Sequence, residues 1–139
     1  MHSNRISNGF ISSYIHHSMQ DIKDVLLLLQ QSPTDISIAS TLPSTAQIIE
    51  DMTDVDEYKH VVALLCAIEG VLHRVRDAEL RPKGDLIALL LICINHVSRM
   101  VSQIAYRDGI YLGYLNRSHG LIRQLRDCHG GRFKHAATA

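Results

Sequence analysis

The chain has 139 residues and a mass of 15.6 kDa, enough for one domain with a substantial core and too few for two. Lysine plus arginine and aspartate plus glutamate number 14 each, so the general electrostatic footprint of a nucleic-acid binder is missing and such a role needs a local patch. The apolar run LIALLLICI, residues 86–94, falls far short of the roughly 20 residues of a membrane span. The opening MHSNRISNGFISSYIHH lacks the apolar stretch and cleavage site of a secretory signal. Cys66, Cys93 and Cys128 are widely spaced, two of them inside apolar runs, and read as reduced thiols of a cytoplasmic protein.

In chain order, Ile11, Ile15, Met19, Ile22, Leu26 and Leu29 recur at spacings of three and four and predict an amphipathic helix over residues 10–31. In the SPTD that follows, Ser32 can cap, Pro33 suits a first helical position and Asp35 favours the positive helix end. A second helix is expected from there, carrying Ile38, Leu42, Ala46 and Ile49 inward, and kinked or restarted at Pro43. EDMTDVDE, residues 50–57, is acidic, and Asp54 with Glu57 has the spacing of a reciprocal cap. A third helix follows to about Asp77, burying Tyr58, Val61, Val62, Leu65, Ile68, Leu72 and Val75. The corner AELRPKG holds Pro82 and Gly84, both poor within helices, and Asp85 can cap the next segment. The fourth helix spans about 85–106 and buries Leu86, Leu90, Ile94, Val97, Val101 and Ile104; a fifth spans about 111–128 with Tyr111, Tyr114, Leu115, Ile122 and Leu125. No run alternates as a half-buried strand does, so the expected class is all-α: an antiparallel four-helix bundle with an additional C-terminal helix. Residues 1–9 read as a flexible N-terminus, 10–129 as one domain and 130–139 as a flexible tail.

The span AIEGVLHRVRDAELRPKGDLIALLLICINHVSRMV resembles the third and fourth helices of the histidine-phosphotransfer (HPt) domain at the front of CheA-type chemotaxis kinases. That family's Leu-Glu-x-x-Leu-Asp-x-x-Arg-x-Gly-Glu-Leu run is matched by Ile68, Glu69, Leu72, His73, Arg76, Ala78, Glu79 and Leu80. Its Asp-Leu-Ile-x-Leu-Leu helix is matched by Asp85, Leu86, Ile87, Leu89 and Leu90. The likeness runs back through Tyr58 to the Ser32-Pro33 helix start and forward to LIRQLRD. It implies an HPt-type bundle. In the family the reacting pattern is Ala-His-x-x-Lys-Gly: the histidine takes phosphate from the kinase and passes it to a receiver aspartate, the lysine steadies the phosphoryl group, and the glycine leaves room for a partner. Aligned without a gap, the residues here are Ala46, Gln47, Ile48, Ile49, Glu50 and Asp51. A glutamine amide nitrogen has no available lone pair with which to attack phosphorus. Acids at the lysine and glycine positions shift the local charge by about two or more units against phosphate, and Asp54, Asp56 and Glu57 deepen that field.

No substitute acceptor has the family's pattern. His16 and His17 lack the lysine and glycine that should follow; His60 stands beside Lys59 and within helical reach of Asp56; His73 and His96 read as surface or boundary residues; and His119 precedes Gly120 without a lysine. Cys128, His129 and His135 lack a second ligand pair for zinc, and the acidic run lacks the alternating ligands and glycine of a calcium loop, so neither metal nor cofactor is expected. Arg117, Arg123, Arg126, Arg132 and Lys134 make a basic C-terminal stretch that reads first as a solvated face.

The resulting expectation is a non-catalytic, HPt-like interaction module, not an enzyme, with a binding face at Gln47, Glu50, Asp51 and Asp54. Its partner would be a receiver domain, a histidine kinase or a second copy of itself, with no membrane or nucleic acid. The alternatives are a working phosphorelay protein that uses another histidine, His60 being the first candidate, and a nucleic-acid-binding regulator acting through the basic C-terminal helix.

Overall fold

The computed structural model describes residues 2–107 and 109–129, with side chains over 9–106 and 109–128. It is helical, with no strand among the described residues. The helices are α1 (His2–Gln31), α2 (Ile36–Ala39), α3 (Ala46–Met52), α4 (Lys59–Arg76), α5 (Gly84–Arg107) and α6 (Leu112–His129), with a 3-10 turn at Asp56–Tyr58 before α4.

Helix α1 starts at His2, earlier than the expected start near residue 10. Its apolar stripe behaves as the spacing requires: Ile11, Ile15, Met19, Ile22, Leu26 and Leu29 are all buried, and they lie along α5. On α5 the expected Leu86, Leu90, Ile94, Val97, Val101 and Ile104 are buried, joined by Ile87, Cys93 and Met100. The apolar face of α5 is therefore wide enough to meet α1, α4 and α6 together. Because the helix is longer than its uninterrupted apolar run, Gly84–Tyr106 passes the length and composition test for a membrane span that LIALLLICI alone fails. Half of its apolar window is nonetheless buried inside the fold, with Ile92 and Tyr106 exposed.

Helices α4 and α6 pack along each other, and both touch α5. The corner between α4 and α5 closes through the Ala78 amide on the Val75 carbonyl and the Glu79 amide on the Arg74 carbonyl at 2.8 Å. It places Ala78 at φ 59°, a left-handed conformation that a residue with a Cβ adopts only at a cost.

The expected second helix is two short ones. Helix α2 is capped by Asp35, whose carboxylate accepts from the Ser37 and Ile38 amides at 3.0 and 3.2 Å, so the cap is three residues beyond Ser32. Pro43 then interrupts the chain and α3 starts afresh at Ala46. The restart changes the phase: Ala39, Leu42, Ile48 and Met52 are buried, whereas Ala46 is exposed and Ile38 and Ile49 are half-buried. The reciprocal cap at Asp54 and Glu57 does not form; neither the 3-10 turn nor α4 carries a side-chain cap at its start. In α4 Val62 is half-buried, and Leu64 and Val71 join the buried set. Tyr111, just before α6, is exposed, and on α6 Tyr114 and Leu115 are half-buried; the buried row is Ser118, Leu121, Ile122, Leu125 and Cys128. Arg132, Lys134, His135 and the expected tail lie outside the described residues.

Candidate docking surface

Helix α3 is two turns long, with Ile48 and Met52 fixing its inner side. Gln47, Glu50 and Asp51, at positions i, i+3 and i+4, share the outer side, and Asp54 follows in the turn; all four are exposed. The Gln47 amide donates to the Asp51 carboxylate at 3.0 Å. The four expected site residues are thus brought together on one solvent-facing surface that carries three acids and an amide, with no histidine in the helix.

The chain leading into α3 is held from below. The Glu69 carboxylate accepts from the Thr45 amide at 2.7 Å, the Thr45 hydroxyl at 3.0 Å and the Ser44 hydroxyl at 3.2 Å, and it pairs with the Arg76 guanidinium. Arg76 also donates to the Pro43 carbonyl at 3.3 Å. Glu69 and Arg76 are two turns apart on α4, so their side chains grip the Pro43–Thr45 segment at two heights. Because the Thr45 hydroxyl points inward to Glu69, Thr45 does not cap α3, and the Ser44 hydroxyl accepts from the Ala46 amide at 3.1 Å instead. Burial pushes the Glu69 carboxyl up, but the Thr45 amide, the Arg76 guanidinium and the Thr45 hydroxyl outweigh it and hold the group below the usual carboxylate range. Glu69 and Arg76 match the resembled family in the sequence, but nothing in their spacing reveals that they anchor the α3 segment; that contact depends on where Pro43 turns the chain.

The remaining histidines divide by environment. His60 is half-buried and turns its ring to His119 on α6, centroids 6.4 Å apart at 62°; the expected pairing with Asp56 is absent among the described residues. His60 and Lys59 line a cleft of about 240 Å3 beside Asp56 and Glu57. His73 is exposed and pairs with Asp77 at 3.3 Å. His96, expected at the surface or boundary, is buried, and its Nε2 donates to the Tyr114 carbonyl at 2.9 Å. Burial disfavours its charged form, the Tyr114 carbonyl partly offsets this, and Arg117 and Arg99 oppose protonation further. His96 follows Cys93 by three and precedes Met100 by four, so the α5 stripe itself marks it as inward. His16 is half-buried, with Nε2 3.2 Å from the Ser102 hydroxyl. Among the described residues no cluster of three or more metal-ligating side chains forms.

No family model matches the chain, and no solved structure matches it. Curated proteins do. The chain is 26% identical over 139 residues to the chemotaxis protein CheA of Bacillus subtilis, an alignment that takes in all of this chain and 20% of the relative. It is 30% identical over 97 residues to the CheA proteins of Listeria monocytogenes and Listeria innocua, covering 70% of this chain and 16% of each relative. The chain thus spans about a fifth of the length of these relatives or less, and it is similar to a segment of CheA, in agreement with the resemblance carried by residues 67–101.

Proposed function

We propose that this chain is an HPt-like docking module of two-component signalling of the chemotaxis type, which binds a receiver domain or a histidine kinase without accepting phosphate. The similarity to CheA supports the setting, and the all-helical architecture is compatible with an HPt-type bundle. The reading rests on one observation above all: the position that the resemblance equates with the phosphoacceptor is Gln47, exposed on α3, with its amide engaged by Asp51. An amide cannot take a phosphoryl group, and Glu50 and Asp51 repel the phosphate that a lysine would attract. What the surface keeps is exposure and a distinct charge pattern, which suit recognition by a partner. A cytoplasmic, non-enzymatic role belongs to the same proposal.

The test is phosphate incorporation. The purified chain is incubated with a CheA-type kinase and labelled ATP, or with phosphoramidate, alongside a functional phosphotransfer domain. Docking without transfer predicts that the functional domain is labelled and this chain is not, while the chain still binds the kinase or its receiver in a pull-down that Glu50→Lys and Asp51→Lys weaken. Acid-labile phosphate on any histidine refutes it.

A phosphorelay through another histidine has one observation in its favour: His60 and Lys59 line a common cleft with His119 beside it. Label lost in His60→Gln would establish that reading in place of the first.

A further inference from the structure

A second polar region lies away from the α3 surface, where α5 meets α1 and the start of α6. There, His16, Ser98, Arg99, Ser102, Gln103 and Tyr106 line a cleft of about 420 Å3. A second cleft of about 470 Å3 adjoins it, sharing His16 and Tyr106 and adding His17 and Ser13. Among the described residues no carboxylate lines either one. In a chain with equal numbers of acids and bases, that is a local separation of charge.

The donors in the first cleft are specific. Arg99 has no carboxylate partner among the described residues, so its guanidinium retains its fork of N–H groups. Gln103 accepts from the Tyr111 amide through Oε1 at 3.0 Å. That bond orients the amide and leaves its two N–H groups for another acceptor. The His16 Nε2 and Ser102 Oγ lie 3.2 Å apart; with the imidazole N–H donating to Oγ, the Ser102 O–H remains free to donate outward. Tyr106, 80% exposed, adds a phenol at the mouth. Arg, Gln and Ser donors lining one cleft, with no competing carboxylate among the described residues, match a tetrahedral oxyanion, and Arg favours phosphate by its planar fork.

We infer that the cleft bounded by His16, Arg99, Ser102 and Gln103 binds a phosphate dianion, free or as the phosphate of a small organic monoester. This site is separate from the α3 surface and does not depend on the docking proposal.

The experiment titrates the full chain with inorganic phosphate at constant ionic strength, replacing sodium chloride, and follows the His16 imidazole and Arg99 Nε–H resonances. A parallel titration uses AMP. Expected are saturable shifts confined to this cleft, weakened about tenfold or more in Arg99→Ala and unchanged in Arg123→Ala, an exposed α6 arginine outside the cleft. Arg99→Gln, which keeps much of the aliphatic stem, replaces Arg99→Ala if the latter loses its helical signal. Tighter binding of AMP would identify a nucleoside monophosphate as the source of the phosphate, with Tyr106 and Tyr114 available to its base; equal binding would identify the free ion. Shifts that fail to saturate, that chloride reproduces, or that fall equally in Arg123→Ala would overturn the inference.

Discussion

Removing Glu69 tests whether the α3 surface is positioned from α4 or stands by itself. Glu69→Ala deprives the Thr45 amide, the Thr45 and Ser44 hydroxyls and the Arg76 guanidinium of one shared acceptor. Breaking a buried pair by deleting one partner costs about 3–5 kcal/mol. Here the two side chains keep 19% and 16% of their exposure, so a loss near the lower end, about 3 kcal/mol, is expected. Arg76→Ala leaves the carboxylate its Thr45 donors and should cost about 2 kcal/mol, and the double variant should fall about 1–1.5 kcal/mol short of the sum. With an m-value of about 2 kcal/mol/M, Glu69→Ala lowers the urea midpoint by about 1.5 M. The pH dependence supplies a signed check through Glu69→Gln. A carboxyl held below its ordinary value of 4.5 in the folded state contributes stability that is fully present above that value and lost as pH falls through the depressed one. The gap between wild type and Glu69→Gln should therefore be constant near neutrality and close on acidification below pH 4.5. A Glu69→Ala midpoint within about 0.3 M of wild type, or a double variant that is strictly additive, would refute the network as an anchor.

Tyr58 is fully buried and its hydroxyl has no hydrogen-bond partner among the described residues. Tyr58→Phe should thus be neutral or stabilising by about 1 kcal/mol in urea unfolding, the reverse of what a bonded tyrosine gives. Ala78→Gly relieves the left-handed corner and should add about 0.5–1 kcal/mol, read as a rise of a few degrees in Tm. Burial pushes the Cys93 thiol up to about 12 and raises those of Cys128 and Cys66, but of the three only Cys66 is exposed. A thiol reagent at pH 8 should consume one equivalent rapidly, abolished by Cys66→Ser, and the other two only on unfolding. Phosphorylation by a CheA-type kinase should remain absent in Gln47→His alone, where the acids persist, and become measurable when Glu50→Lys and Asp51→Gly are added; equal labelling of the two variants would show that the acids are irrelevant to transfer.

The long helices were legible in the sequence because a stripe such as Ile11 to Leu29, or Leu86 to Ile104, samples several turns and averages out single exceptions. The segment with the candidate site was not legible to the same depth. Between Asp35 and Met52 two helices of one and two turns flank a proline, so the period restarts and Ile48 with Met52 replaces Ala46 with Ile49 on the inner side. Local capping chemistry was equally ambiguous: Ser32 and Asp35 both had suitable side chains, and the turn that Pro33 sets decided for Asp35. The outward position of Gln47, Glu50 and Asp51 still followed, since three residues at i, i+3 and i+4 share a side wherever the helix begins. The Glu69 and Arg76 grip on the chain before α3 was invisible because it joins residues 24 or more positions apart.

The pairing of α1 with α5 also sets an order of events during folding. Helices α4 and α5 are neighbours through a short corner and can meet early, whereas α1 must wait for α5 and close a loop that contains every helix between them. Hydrogen exchange should find α1 opening at a lower free energy than α4. In that partly open form the α5 face that packs on α1 loses cover, so the segment most hazardous for aggregation is the most apolar helix among the described residues, and its shield is α1.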